Sequence, residues 1–398
     1  MRFVGSSLIG SMAALAVGVA LCGGPLSAEP ETNAPATNET PGPRANDTQP
    51  KSPPKRAPFT AAEAAAAAIP GMPDARFFAD SEPNFLRAMP THSGPWLILS
   101  GGGGDGAFGA GLLNGWTQSG RRPEFAVVTG VSTGALLAIH AFVGSRADDK
   151  LREQFTGVTA ADVFEIGGTR ESLFDTWPLK SRIARHVTAA FLADIAAEHR
   201  RGRRLLVVTT NLDTERSVVW NMGAIAAHGG ERALNLFRDV LLASASLPGL
   251  FPPVAIESEV QGRTLQELHA EGGLGGPFFI APPGLLSRAK SALLPATDFY
   301  IVLNSKLAPE FTMTERNTAG ILARSISAAL KTVMRNEAER AYAVAQREGI
   351  GFHLAYVEDG FGKQSRGPVD DEYMRALFDR AVERGRNGEA FRKEPPSS

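Results

Sequence analysis

The chain has one cysteine, Cys22, in 398 residues. That excludes a disulfide framework, a Cys-based zinc site and an iron–sulfur site. Neither sign of charge is in excess: 41 Lys and Arg stand against 42 Asp and Glu, a formal net charge of −1. The electrostatic footprint of a general nucleic-acid binder is therefore absent. Four Trp and four Tyr leave no aromatic-rich binding signature. Long apolar runs are scarce too, the stretch Leu8 to Leu21 being about 14 residues and short for a membrane span. Core-forming residues are not scarce: 43% of the chain is apolar, which argues against global disorder and for one large α/β domain or two small ones.

The ends of the chain read differently from its middle. Arg2 is the only charged residue before Glu29, and the apolar run between them ends at Leu26-Ser27-Ala28. This is the anatomy of an export signal over 1–28, cleaved after Ala28, and the expected location is periplasmic or secreted. Cys22 opens a second route as a lipid-carrying cysteine, although Leu21 before it is bulky where such sites want Gly, Ala or Ser. Residues 29–58 hold eight Pro and no Val, Ile, Leu, Met or aromatic residue. Such a segment cannot offset its ordering entropy and reads as a disordered spacer. A disordered tail is expected over 385–398, which leaves 59–384 as the folded unit, without an internal repeat.

Within that unit short apolar runs alternate with helical stretches. Strands are expected at 96–100, 125–129, 205–209, 217–220, 265–270 and 299–303, and helices at 107–117, 133–142, 178–199, 318–348 and 370–384. Continuous apolar strands separated by helices imply a three-layer α/β/α fold with a mostly parallel central sheet covered on both faces. Chemistry in such folds sits at the carboxyl ends of the strands. The run Arg200-Arg201-Gly202-Arg203-Arg204 reads as a solvated helix end, or as a patch for anionic headgroups.

Two glycine-rich turns carry the chemistry. Gly130-Val131-Ser132-Thr133-Gly134 is Gly-x-Ser-x-Gly between a predicted strand and a predicted helix, the setting that gives a nucleophile elbow its meaning. About thirty residues earlier, Gly101-Gly102-Gly103-Gly104-Asp105-Gly106 follows a strand and opens a helix. A dinucleotide loop would want an acid at the end of the next strand, where this chain has Thr129-Gly130. A P-loop would want Gly-Lys-Ser/Thr, which is missing. An oxyanion hole, with the bare amides of Gly102, Gly103 and Gly104 at a helix start, explains loop and elbow together.

A serine nucleophile needs a proton acceptor. None of the seven His lies in an evident late strand-end loop, and only His269 borders a glycine turn. A carboxylate serves if burial lifts its pKa toward neutrality. Glu271, in Ala270-Glu271-Gly272-Gly273, is the candidate, although an acid before Gly-Gly is also an ordinary turn.

Taken in order, the glycine loop, the elbow and the acid before Gly-Gly resemble the motifs of patatin-like phospholipases, most closely their exported bacterial branch. Thr209-Thr210-Asn211-Leu212-Asp213 and Ala243-Ser244-Ala245-Ser246-Leu247-Pro248 extend the likeness, which covers about 95–385, with a motif core at about 95–287. The resemblance implies hydrolysis of phospholipid or other lipid acyl esters by a serine–acid dyad, peripheral contact with a membrane, and no metal or organic cofactor. It carries Ser132 over as nucleophile and Glu271 as the acid. The family's acid is Asp, so Glu271 adds one methylene and one rotor. A longer arm folds back or overshoots the Ser oxygen unless the backbone after Ala270 shifts. The expectation is a slow site that Glu271→Asp speeds up, the alternative being a catalytically weakened lipid-binding envelope protein on the same fold.

Overall fold

Apolar runs too short for helices become strands here, and the glycines that end them let the chain turn back. The computed structural model describes residues 55–167, 171–288, 294–367 and 369–396. The expected export signal 1–28, with Cys22, and the spacer up to residue 54 lie outside the described residues. Helix α1 (Ala61–Ala66) starts on a capping box between Thr60 and Glu63. Strand β1 (Arg76–Phe78), α2 (Glu82–Ala88), β2 (Gly94–Leu99), α3 (Gly106–Gln118), β3 (Val127–Val131) and α4 (Thr133–Val143) follow. Next come α5 (Asp148–Thr156) and a small hairpin of β4 (Glu165–Ile166) and β5 (Phe174–Asp175). The expected helix 178–199 is two helices, α6 (Trp177–His186) and α7 (Ala189–Arg200). The break falls where the Thr188 side chain caps the second helix by accepting from the Phe191 amide.

The second half adds β6 (Arg204–Asn211), β7 (Arg216–Asn221), α8 (Met222–His228), α9 (Gly230–Ser244), β8 (Val254–Val260) and β9 (Arg263–Glu271). It closes with α10 (Pro283–Leu286), β10 (Ala296–Lys306), α11 (Thr318–Glu348), β11 (Gly351–Val357) and α12 (Asp371–Asn387). The main sheet has nine strands, with β1-β7-β6-β3-β2-β10-β11 as its path and the β8–β9 hairpin joined to the end of β6. Strands β6, β3, β2, β10 and β11 are mutually parallel, while β7 and β9 run antiparallel to β6.

Alternation along the strands splits the interior in two. From β2, Leu97 and Leu99 enter one core with residues of α3, α4, α7, α9 and α12. Trp96 and Ile98 enter the other, with residues of α2, α10 and α11. The sheet is thus covered on both faces, and the fold is the three-layer α/β/α arrangement with a mostly parallel sheet. Every parallel strand points its carboxyl end the same way, so the turns after β2, β3, β6 and β10 meet along one edge.

Two expectations need correction. Arg200 and Arg201 are the exposed helix end expected, but the rest of the arginine run is structural. Arg203 is buried, with its guanidinium on the carbonyls of Phe125 and Phe142 and on Glu198. Arg201 pairs with Glu198 and Glu124, and Arg204 donates to the Ala88 carbonyl. The run also precedes β6, at the sheet edge away from the elbow, so it offers no headgroup patch beside Ser132.

The end of the chain is ordered through residue 396, not frayed from 385. Gly111 and Gly115 of α3 let the backbone of α12 approach closely: an added Cβ would lie 2.2 Å from the Phe378 carbonyl oxygen and 2.0 Å from that of Val382. Gly385 meets α3 in the same way, α12 runs on to Asn387, and Gly388 ends it with a left-handed φ of 83°. Phe391 then packs on Trp116 with ring centroids 4.7 Å apart, and Arg392 and Leu354 exchange backbone hydrogen bonds of 2.8 Å. The polar composition of 385–398 hid a contact made by glycines and one aromatic ring. Truncation after Arg384 should lower the melting temperature by roughly 5 °C or more in a thermal scan; an unchanged melting temperature would mean that this segment is dispensable.

Candidate active site

The elbow is strained where the sequence places its serine. Ser132 has φ 56° and ψ −128°, and among the described residues only Glu215 and Gln261 share a positive φ without being glycine. Holding a side chain there costs on the order of 1–3 kcal/mol, which the packing around it must supply. The flanking glycines are required by contact distance. A Cβ on Gly130 would come within 2.3 Å of the Gly134 carbonyl oxygen, and one on Gly134 within 2.4 Å of that of Leu99. Ser244, fully buried at the end of α9, fixes the serine backbone: its Oγ accepts the Ser132 N–H at 2.9 Å and donates to the Val208 carbonyl at 2.7 Å.

Glu271 ends β9, whose register sets it opposite Thr209 of β6. Ser132 Oγ donates to Glu271 Oε2 at 2.7 Å, and the Gly273 amide donates to Oε1 at 3.1 Å. The backbone of Glu271 is tied on both sides, its N–H to the Ser246 carbonyl at 2.9 Å and its C=O to Thr210 Oγ1 at 2.9 Å. The extra methylene therefore neither overshoots nor leaves the carboxylate adrift. The arm lies across the following turn and spends one oxygen on the Gly273 amide. Gly273 has no side chain to obstruct it, since a Cβ there would sit 3.2 Å from Oε1. The longer acid thus reaches the serine oxygen by lying over the glycine turn.

Burial pushes the Glu271 pKa up to about 7, against the opposing pull of the hydrogen bonds from Ser132 and the Gly273 amide. Two residue pairs earlier on the same strand face, Glu267 is equally buried and has the opposite fate. Burial alone would raise it, but the bidentate Arg76 pair at 2.6 and 2.7 Å, with His269 and Ser258, holds it far below the ordinary range. His269 belongs to that network. It is fully buried between Thr209 Oγ1 at 2.9 Å and Glu267 Oε2 at 3.3 Å, and burial lowers its pKa. Asp213 is engaged by Arg56 at 2.7 Å and by the Leu268 amide at 3.0 Å. Neither His269 nor Asp213 makes a hydrogen bond to Ser132.

The glycine loop lies against the elbow. A Cβ on Gly101 would be 3.1 Å from Ser132 Cβ and 3.7 Å from its Oγ, and Thr133 Oγ1 donates to the Gly103 carbonyl at 3.0 Å. The short turn at Gly103–Asp105 begins its own hydrogen bonds with the Asp105 amide on the Gly102 carbonyl. The amides of Gly102, Gly103 and Gly104 precede that bond, as the first N–H groups of a helical turn do. Asp105, which the sequence reading passed over, follows them. Burial lifts its pKa to about 6 against the hydrogen bond that Tyr373 donates to it at 2.7 Å. Its partner is 268 residues away, so no local pattern signals it. No cluster of His, Cys, Asp and Glu among the described residues could hold a metal.

A carboxyl raised from its unfolded value favours folding in its protonated form. That contribution is present below the unfolded pKa, near 4.5, and is lost as pH rises through about 7. Glu271→Gln keeps the shape without the charge. It should melt above wild type at pH 8, by a margin on the order of 3 kcal/mol at most, and with wild type near pH 5. Equal melting temperatures at pH 8 would mean that the Glu271 carboxylate is not destabilised by its site.

No curated protein matches this chain. Among solved structures, that of VipD from Legionella pneumophila aligns with 75% of this chain and 67% of its own at 12% identity, with a TM-score of 0.40. The stronger finding is local to the strands and turns just described: residues 97–282, from β2 through the Glu271 turn, match the model of the patatin-like phospholipase family.

Proposed function

We propose that this protein is an exported serine acyl hydrolase that cleaves carboxylic esters of lipids through a Ser132–Glu271 dyad. The observation that carries the reading is the 2.7 Å hydrogen bond from Ser132 Oγ to a buried carboxylate whose pKa stands at about 7. Near neutral pH such a group is ionised in a useful fraction of molecules, yet basic enough to take a proton. As Ser132 Oγ attacks the ester carbonyl, Glu271 Oε2 accepts its proton, and the amides of Gly102, Gly103 and Gly104 receive the oxygen that becomes negative. Collapse of the tetrahedral intermediate breaks the bond to the alcohol oxygen, which leaves with the proton from Glu271. Water then attacks the acyl-serine, gives its proton to Glu271, and the fatty acid departs as the proton returns to Ser132.

Lipid is the substrate class of the matched family, and exposed apolar side chains of this chain agree with it. Leu274, three residues after Glu271, is half exposed, and Phe311 and Met313, beyond the end of β10, are largely exposed. Such side chains suit an acyl chain or a lipid surface better than a small polar ester. Export rests on the sequence of residues 1–28.

The test is a fluorophosphonate probe together with release of fatty acid from phospholipid vesicles. Wild type should take the label and release acid, and Ser132→Ala should do neither. A folded wild-type protein inert in both assays contradicts the proposal and leaves lipid binding without turnover. The value of kcat/KM should rise with pH with a midpoint near 7, because the ionised form of Glu271 is the active one. Glu271→Asp should lower kcat by about 100-fold, since a shorter arm cannot keep both the Gly273 amide and Ser132 Oγ. A faster Asp variant would mean that the site is not built around Glu.

A further inference from the structure

Strand β10 lies beyond the segment that matches the family, yet it touches the glycine loop at both ends through one residue. Asn304, near the carboxyl end of β10, is fully buried. Its Nδ2 donates to the Ser100 carbonyl at 2.8 Å, and its Oδ1 accepts the Gly109 N–H at 3.1 Å. Its own N–H donates to Ser100 Oγ at 2.9 Å, and that hydroxyl donates onward to the Gly101 carbonyl at 2.7 Å. Ser100 is where the chain enters the loop and Gly109 is in the first turn of α3, where it leaves. Between them the loop rests on the same residue: a Cβ on Gly102 would lie 1.8 Å from the Asn304 carbonyl oxygen.

We infer that Asn304 is a positioning residue for the oxyanion hole. It ties the entry and exit of the loop together so that the amides of Gly102, Gly103 and Gly104 are fixed over Ser132. The inference rests on the hydrolase reading above and adds to it a residue on a strand outside the matched segment. The amide is required chemically. One end of the side chain meets a backbone carbonyl and must donate, and the other meets a backbone N–H and must accept. Asp can accept at both ends but donates only when protonated. Leu does neither, and would take the Asn304 donor away from the Ser100 carbonyl. An oxyanion forms only as the reaction proceeds, so a loosened loop should cost turnover and leave ground-state binding of the ester largely intact.

Asn304→Asp tests this with two readouts, hydrolysis of a p-nitrophenyl ester and the rate of fluorophosphonate labelling, both at a temperature where circular dichroism shows the protein folded. At pH 8 kcat should fall by about 100-fold with KM within about twofold of wild type, and labelling should slow in parallel. Lowering the pH protonates the introduced Asp, whose pKa burial raises. The acid form has one oxygen to accept from Gly109 and one O–H to donate to Ser100, as the amide does. The ratio of variant to wild-type kcat should therefore climb toward one as pH falls from 8 to 6, although wild type itself slows over that range. A folded variant with wild-type kcat at pH 8, or one that loses kcat and KM together with no recovery at low pH, overturns the inference. Should Asn304→Asp fail to fold, Ser100→Ala removes only the hydroxyl link and should lower kcat severalfold at unchanged KM; an unchanged kcat there overturns it as well. A wild-type protein that takes no label removes the hydrolase reading and this inference with it, whereas an active wild type matched by its variants removes this inference alone.

Discussion

The hydrogen bond from Ser132 Oγ to Glu271 Oε2 is the contact on which the site depends, because its two ends come from opposite directions of chain. Ser132 follows β3, a parallel strand in the middle of the sheet, while Glu271 ends β9, which runs antiparallel to β6. They meet because β6 borders both strands and because Gly272 can sit directly on the Val208 carbonyl, where a Cβ would come within 2.3 Å of its oxygen. Ser244 serves the same junction, holding the Ser132 amide and the Val208 carbonyl with one hydroxyl. The serine, the acid and the strand between them are thus one hydrogen-bonded unit.

Two glutamates on one strand face show how neighbours decide what burial does. Glu267 and Glu271 are both almost fully buried. Arg76, Asn211, Ser258 and His269 surround the first with donors, which makes it a structural anion that ties β1, β6, β8 and β9 together. Among the described residues, the second receives only a serine hydroxyl and one amide. A buried carboxylate without a cation is costly in the folded state, and the same cost gives it the basicity that proton transfer from a serine needs. Under the proposed mechanism the site spends stability on reactivity twice, in the strained backbone of Ser132 and in the desolvated charge of Glu271.

Much of this was legible in the sequence, for identifiable reasons. Gly130 and Gly134 announce the elbow because steric contact permits nothing larger, and the apolar runs in β2, β3, β6 and β10 announce buried parallel strands because both of their faces are covered. Glu271 stood out through the glycines after it. What sequence could not reveal was reach. Whether a longer acid fits depends on the turn at Gly273, which no spacing rule encodes. Strand β11 was missed because His353 and Tyr356 break its apolar pattern, and β8 because Glu257, Ser258 and Glu259 in a row interrupt its apolar residues, with a polar side chain, Ser258, on the buried face. Asn304 and Tyr373 act on the glycine loop from about 200 and 268 residues away, so only the fold brings them to it. The ordered segment after Arg384 was hidden for the opposite reason, since its polar composition gave no sign of Gly385 and Phe391 at a helix interface.

The central claim is that Glu271 is a base tuned by burial, and its protonation can be followed directly. In protein labelled with carbon-13 at the glutamate carboxyl carbon, the Glu271 resonance is the one lost in Glu271→Gln. Its chemical shift, followed against pH in the folded protein, should titrate with a midpoint near 7. A midpoint near the ordinary glutamate value of about 4.3 would contradict the account, because a carboxylate that weak could not be the group that draws the proton from Ser132.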